Sequence, residues 1–196
     1  MNFSLKKHFV LLSLFCLLSV FARTIAAQDK DWRPVTAQEL AMKTSVVEPD
    51  ADAEAIFWEV RVDDSAVDEL ALQNYVRVKI FTERGREQFS KRDIPFTKGT
   101  KIKDIEARVT KPDGSTVFLK KEDILERDIV KANGIKIKAK SFALPGLEIG
   151  SIVEFRYREV INNAEADMRL VFQRDIPIEN ASYYVKPFSS GKSMFW

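Results

Sequence analysis

From about residue 53 onward the chain alternates between apolar and polar positions. Ile56, Trp58, Val60 and Val62 alternate with Phe57, Glu59 and Arg61. Val76, Val78 and Ile80 alternate with Arg77, Lys79 and Phe81, and Ile105, Ala107 and Val109 with Glu106 and Arg108. Val153, Phe155 and Tyr157 alternate with Glu154, Arg156 and Arg158, and Met168, Leu170 and Phe172 with Arg169 and Val171. Tyr183 and Val185 end the series. A period of two predicts half-buried antiparallel strands, one face toward a core and one toward water. Turn chemistry separates the runs. Lys111-Pro112-Asp113-Gly114-Ser115 leads to a returning strand at Thr116–Lys120, because Pro presets the first turn dihedral and Gly accepts a positive φ. Asn133-Gly134 predicts a tight hairpin between Asp128–Val130 and Ile135–Lys140. Helical signals are few. Thr36-Ala37-Gln38-Glu39 has capping-box spacing ahead of Leu40 and Ala41, and Arg84–Ser90 is a second short candidate. The pattern predicts an all-β fold, an antiparallel β-sandwich of about nine strands with a short N-terminal helix, with a barrel as the alternative closure.

The first 27 residues follow different rules. Lys6, Lys7 and His8 precede thirteen residues, Phe9–Phe21, interrupted only by Ser, and Ala22–Ala27 ends in small residues. This is the basic, apolar and cleavage-site order of a secretory signal. Thirteen residues fall short of the ~20 that span a bilayer. Cleavage after Ala26 or Ala27 is expected, which places the mature chain in the periplasm or outside the cell and limits membrane contact to export. Large flanking residues at Cys16 argue against lipid attachment there. The expected layout is a signal at 1–27, a linker with a short helix at 28–48, and the sandwich at 49–196.

Composition narrows the chemistry. Of 196 residues, 45% are apolar and 31% charged, enough for a packed core. The net charge is +2, and losing the three cations of the leader takes it to −1. A body this close to neutral is a poor nucleic-acid binder. His8 and Cys16 are the sole His and Cys, and both lie in the leader. A mature chain without them holds no Cys–His or Ser–His–Asp site, no zinc site built on those ligands and no disulfide. No catalytic, cofactor or metal residue is assigned, and no cofactor is expected.

Four features remain as candidates. Asp50, Asp52 and Glu54 stand at alternate positions, but Ala55 and Arg61 occupy the places where a calcium loop needs Gly and Glu. A solvated turn before the first strand is the expected reading. Lys136, Lys138 and Lys140, with Lys131, form a basic stripe that could attract an anionic glycan, headgroup or peptide. Protection of an edge strand is its plainer explanation. Most aromatics fall on the apolar phase, whereas Phe57, Phe81, Phe118 and Tyr184 fall on or near the polar one. Together with the lysines, Phe57 and Phe81 are the candidate ligand contacts. The 29 acids offer too many pairs for glycoside hydrolysis to be assigned to any. Asn180-Ala181-Ser182 fits the N-glycosylation pattern, which matters only in a glycosylating host.

Several stretches carry a family likeness. They are Asp50–Ala53, Ile105–Val109 leading to Lys111–Ser115, and Phe142-Ala143-Leu144-Pro145-Gly146-Leu147 leading to Gly150-Ser151-Ile152-Val153-Glu154-Phe155-Arg156-Tyr157, the most specific. Phe172–Pro177 and Tyr183–Pro187 follow. Between about Pro49 and Pro187 the chain resembles the bacterial family known as domain of unknown function 3857. The resemblance implies an exported β-sandwich that usually precedes a transglutaminase-like domain with a papain-like Cys–His–Asp site, and it assigns no catalytic residue to the module itself. The expected function is that of a non-catalytic accessory module whose partner is such a domain, in cis or in trans; with the sequence ending at Trp196, the expectation is either a fragment that stops before that domain or a stand-alone module. The alternatives are a module binding cell-envelope glycan or peptide and, in third place, a carboxylate-based hydrolase.

Overall fold

The computed structural model describes residues 32–66, 69–132, 135–162 and 170–186. Every element below belongs to the unit Thr36–Trp196. Helix α1 (Ala37–Ala41) starts at the predicted capping box. Thr36 Oγ1 accepts from Glu39 N at 3.1 Å, and Glu39 Oε2 accepts from Thr36 N at 2.6 Å. Strands β1 (Ala53–Asp63) and β2 (Glu69–Ile80) follow, then α2 (Glu83–Ser90) and β3 (Lys91–Phe96). Next come β4 (Thr100–Thr110), β5 (Thr116–Phe118), a 3₁₀ turn (Lys121–Asp123), β6 (Leu125–Ala132) and β7 (Ile135–Ala143). The last two strands are β8 (Ile152–Asn162) and β9 (Ala181–Lys186).

Six strands form one sheet in the order β5-β4-β8-β2-β1-β9, and three form a second, β3-β7-β6. The fold is all-β with short helices, as the alternation predicts. All pairings are antiparallel except β1 with β9, which is parallel. Strands β8 and β1 both run antiparallel to β2, so β9, parallel to β1, runs in the direction of β8. The last part of the β8–β9 connection lies along β1 before β9 begins. Ala55 N donates to Pro177 O at 2.9 Å and Trp58 N to Asn180 O at 2.8 Å.

The sheets share one core. Val76, Val78, Ile80, Ala107, Val109, Val153 and Phe155 from the large sheet meet Ile94, Phe142 and Leu144 from the small-sheet side, with Phe89 of α2 between them. These are the apolar phases read from sequence. Helix α2 stands where predicted, capped by Thr82 Oγ1, which accepts from Gly85 N at 3.2 Å. At Gly85 a Cβ would lie 2.2 Å from the Asp52 carbonyl oxygen, so only glycine permits that approach. In the Lys111–Ser115 turn Gly114 has φ +84°, and Asp113 Oδ1 accepts from Ser115 N at 2.8 Å.

Two strand assignments differ from the sequence reading. Leu170–Phe172 is not a strand; it is an exposed part of the β8–β9 connection, and residues 168 and 169 lie outside the described residues. Alternation over five residues is also what a loop crossing an apolar rim shows. Conversely, β3 was not foreseen, because Lys91, Asp93 and Pro95 hide its inward phase of Arg92, Ile94 and Phe96. Pro95 is tolerated because β3 is an edge strand. Asn133, Gly134 and the leader also lie outside the described residues, although Ala132 pairs with Ile135 on either side of the predicted hairpin.

Candidate functional site

The outward face of the six-stranded sheet carries much of the chain's buried charge. At one level across the sheet, Phe118 opposes Arg108, Arg108 opposes Glu154, Glu154 opposes Arg77, and Arg77 opposes Phe57. Opposed residues share a face, so all five project away from the shared core. Glu154 is fully buried, and the side chains of Arg77 and Arg108 are each 3% exposed. Oε1 of Glu154 accepts from Arg77 Nε at 3.0 Å, Arg77 Nη2 at 2.8 Å and the Tyr75 hydroxyl at 2.7 Å, while Oε2 accepts from Arg108 Nε at 2.5 Å. A carboxylate engaged by four donors ties three strands of the sheet together. The sequence reading assigned this phase to solvent, and the structure corrects it.

The N-terminal segment reaches this face. Glu39 of α1 takes Arg77 Nη1 at 2.7 Å, and the Leu40 carbonyl takes Lys79 Nζ at 2.8 Å. Lys79 Nζ also reaches the Gly150 carbonyl at 2.6 Å. Burial, reinforced by the charge of Lys43, lowers the Lys79 ammonium pKa to about 8. Glu54 accepts from Val46 N at 3.1 Å, Val47 N at 2.8 Å and the Ser45 hydroxyl. The acidic run is a solvated turn only at Asp50, which is exposed just before β1. Glu54 is fully buried, and Asp52 accepts from Thr82 Oγ1 at 2.5 Å and pairs with Arg84. Asp50 and Asp52 line an open cleft of about 490 Å³ between the 47–53 segment, α2 and Asp175–Pro177. Among the described residues no group of three acids, His or Cys is placed to hold a metal.

The lysine stripe lies on β7, the centre of the small sheet, so the edge-protection reading does not apply. Lys136 pairs with Asp128 at 3.1 Å, and Lys138 and Lys140 both reach Glu126, at 2.5 and 2.9 Å. These two contacts hold the Glu126 carboxyl down to about 2. Phe57 belongs to the other sheet and does not join the lysines. It is buried edge-on against Tyr75 at 4.9 Å, with the Arg77 guanidinium 5.1 Å above its ring. Phe81 is half-buried just past β2, its N–H bound to the Asp52 carbonyl at 2.9 Å. Phe118 shares a row with Phe57 but stands four strands away, about 19 Å at the usual spacing. Tyr184 is 52% exposed beneath the Arg61 guanidinium, 5.2 Å away.

Sequence reasoning missed a second cluster, on the inner faces. Arg92 of β3 points between the sheets, its guanidinium 4.8 Å from the Phe89 ring centre and 5.4 Å from that of Phe155. Trp58 packs edge-on to Phe155 at 6.3 Å, and Arg174 lies 4.5 Å over its indole. Tyr157 follows Phe155 on the same face of β8, and burial, helped by the charge of Glu159, pushes its hydroxyl up to about 12. The register of an unrecognised strand cannot be read locally, so nothing in the sequence pointed Arg92 inward.

These features define a two-sheet β module with a buried charge lattice on one face and cations among aromatics in its interior. Its family follows from comparison. The model of the Domain of Unknown Function family DUF3857, a family with a solved structure, matches residues 69–190, and the chain belongs to that family. The Asp50–Ala53 stretch lies before the matched region. No curated protein matches the chain. Among solved structures, the crystal structure of a "putative protease" from Parabacteroides distasonis is similar, with a TM-score of 0.58 and 16% identity. The likeness, which is one of fold, covers 68% of this chain and 29% of that one.

Proposed function

We propose that this protein is an exported, non-catalytic accessory module that docks a transglutaminase-like domain, in cis or in trans. The observation that carries the reading is the unequal coverage of the structural neighbour. Most of this fold corresponds to 29% of a longer chain described as a protease, the proportion expected of one module within a larger enzyme. A surface suited to docking accompanies it. Leu170, Val171, Phe172 and Val185 are 36–54% exposed, and Phe172 packs edge-on against Tyr183 of β9 at 5.0 Å. The Tyr183 hydroxyl holds the Val171 backbone through two 3.0 Å bonds, which fixes the apolar residues in place. Export rests on the leader, with cleavage near Ala26 or Ala27.

The test is affinity of the purified chain for a transglutaminase-like domain from the same host, measured by calorimetry. Saturable binding that weakens at least about tenfold in Phe172→Asp is expected, as for loss of an apolar anchor. Turnover of ester, peptide or glycoside substrates by the pure chain, or equal binding by the variant, would sink the proposal.

A further inference from the structure

One donor in the inner cluster lacks an acceptor among the described residues. Trp58 Nε1 is fully buried with no hydrogen-bond partner among the described residues. A buried donor left unpaired costs about 1–3 kcal/mol, so its persistence needs a reason. Arg92 reinforces the point. Burial lowers its pKa, and its guanidinium lies against two phenyl rings, with Asp93 and Asp175 acting on it only electrostatically. Tyr157 lies within electrostatic reach of both Arg92 and Arg174, which ties the two guanidinium groups to one locality. Arg174 is exposed, covers the Trp58 indole and touches the Tyr183 hydroxyl at 3.3 Å, so it stands at the solvent mouth of the cluster.

We propose that Trp58, Arg92, Tyr157 and Arg174 form a recognition site for a single carboxylate on an aliphatic or sugar ligand. The guanidinium groups supply charge and forked donors, the indole N–H and phenol supply directed ones, and the rings of Phe155 and Trp58 receive the apolar body. The local charge argues for a monoanion. Asp175 faces Arg92 and Glu159 faces Tyr157, so two carboxylates already offset the two cations, and a multiply charged phosphate would meet repulsion. Glu159, its carboxyl raised in pKa by burial, follows Tyr157 on the same face of β8. The site borders the docking surface at Tyr183, which Arg174 and Phe172 both contact, but its test reads the Trp58 indole rather than docking affinity, so the two proposals fail separately.

Carboxylates of this kind come from peptide C-termini or from acidic sugars. The probes are therefore N-acetyl-dialanine, its C-terminal amide, and glucuronate, titrated into the ¹⁵N-labelled protein from the full chain. The readout is the Trp58 indole N–H resonance, assigned with Trp58→Phe. A saturable shift with a carboxylate but not with the amide is expected. Arg174→Gln, at an exposed position, should weaken it about tenfold or more, the effect of losing a charge-assisted hydrogen bond. Arg92→Gln should do the same where melting shows the variant folded. Response to the dipeptide alone assigns a peptide terminus, and response to glucuronate alone an acidic glycan. No saturable shift with either acid, an equal shift with the amide, or unchanged affinity in Arg174→Gln overturns the proposal.

Discussion

Removing the Glu154 side chain tests whether the outward charge row holds the sheet together. In Glu154→Ala two guanidinium groups, each 3% exposed, lose the carboxylate they share, while Arg77 keeps Glu39 at 2.7 Å. Breaking a buried ion pair from one side costs about 3–5 kcal/mol, because the remaining charge stays desolvated. With a urea dependence of ~2 kcal/mol/M, typical of a domain this size, the unfolding midpoint should fall by about 2 M. Glu154→Gln, which keeps the shape and one acceptor, should lose less. Arg108→Ala combined with Glu154→Ala should be non-additive by about 0.5–3 kcal/mol, since the second deletion removes the charge that the first one stranded. Replacing all three groups together by Arg77→Met, Arg108→Met and Glu154→Leu should recover much of the loss, because apolar packing needs no partner. A loss below ~1 kcal/mol in Glu154→Ala is what an exposed pair gives, and it would refute the claim that this row is shut off from water.

Two further outcomes follow from close contacts. Lys79 titrates near 8 when folded against 10.5 for the free side chain, so between those pH values the unfolded chain binds the extra proton and stability rises with pH. The full shift corresponds to about 3 kcal/mol. The stability gap between the protein and Lys79→Met, followed by urea unfolding from pH 7 to 10, should therefore move toward the protein by about 2–3 kcal/mol; a gap constant with pH contradicts the burial argument. Gly85→Ala would bring its Cβ to 2.2 Å from the Asp52 carbonyl, where backbone must yield, and should cost about 1–3 kcal/mol in the same assay; an unchanged midpoint would show that the approach of α2 to Asp52 is looser than described.

Local pattern carried far in this chain. The period of two at Val76–Ile80 and Val153–Tyr157, the Thr36–Glu39 capping box and the Pro-Asp-Gly turn each depend on neighbours within a few residues, and each formed as written. The inward phases of β2, β4 and β8 were legible as core for the same reason. Residues that depend on partners far along the chain were not legible. Arg77, Arg108 and Glu154 read as a solvent face because alternation says which residues share a side, not what covers that side. The return of residues 36–48 onto the sheet brings Glu39 to Arg77, and only register places a carboxylate between two guanidinium groups. The lysines of β7 looked like an edge until pairing set the strand between β3 and β6 and brought Glu126 and Asp128 alongside. Arg92 was hidden among charges and a proline, and its inward aim is a property of the two sheets facing each other. Amino-acid order thus determined strand content, turns and family likeness through short-range sterics and hydrophobic period. Long-range pairing alone decided which charges became structure and which cations were left among aromatic rings.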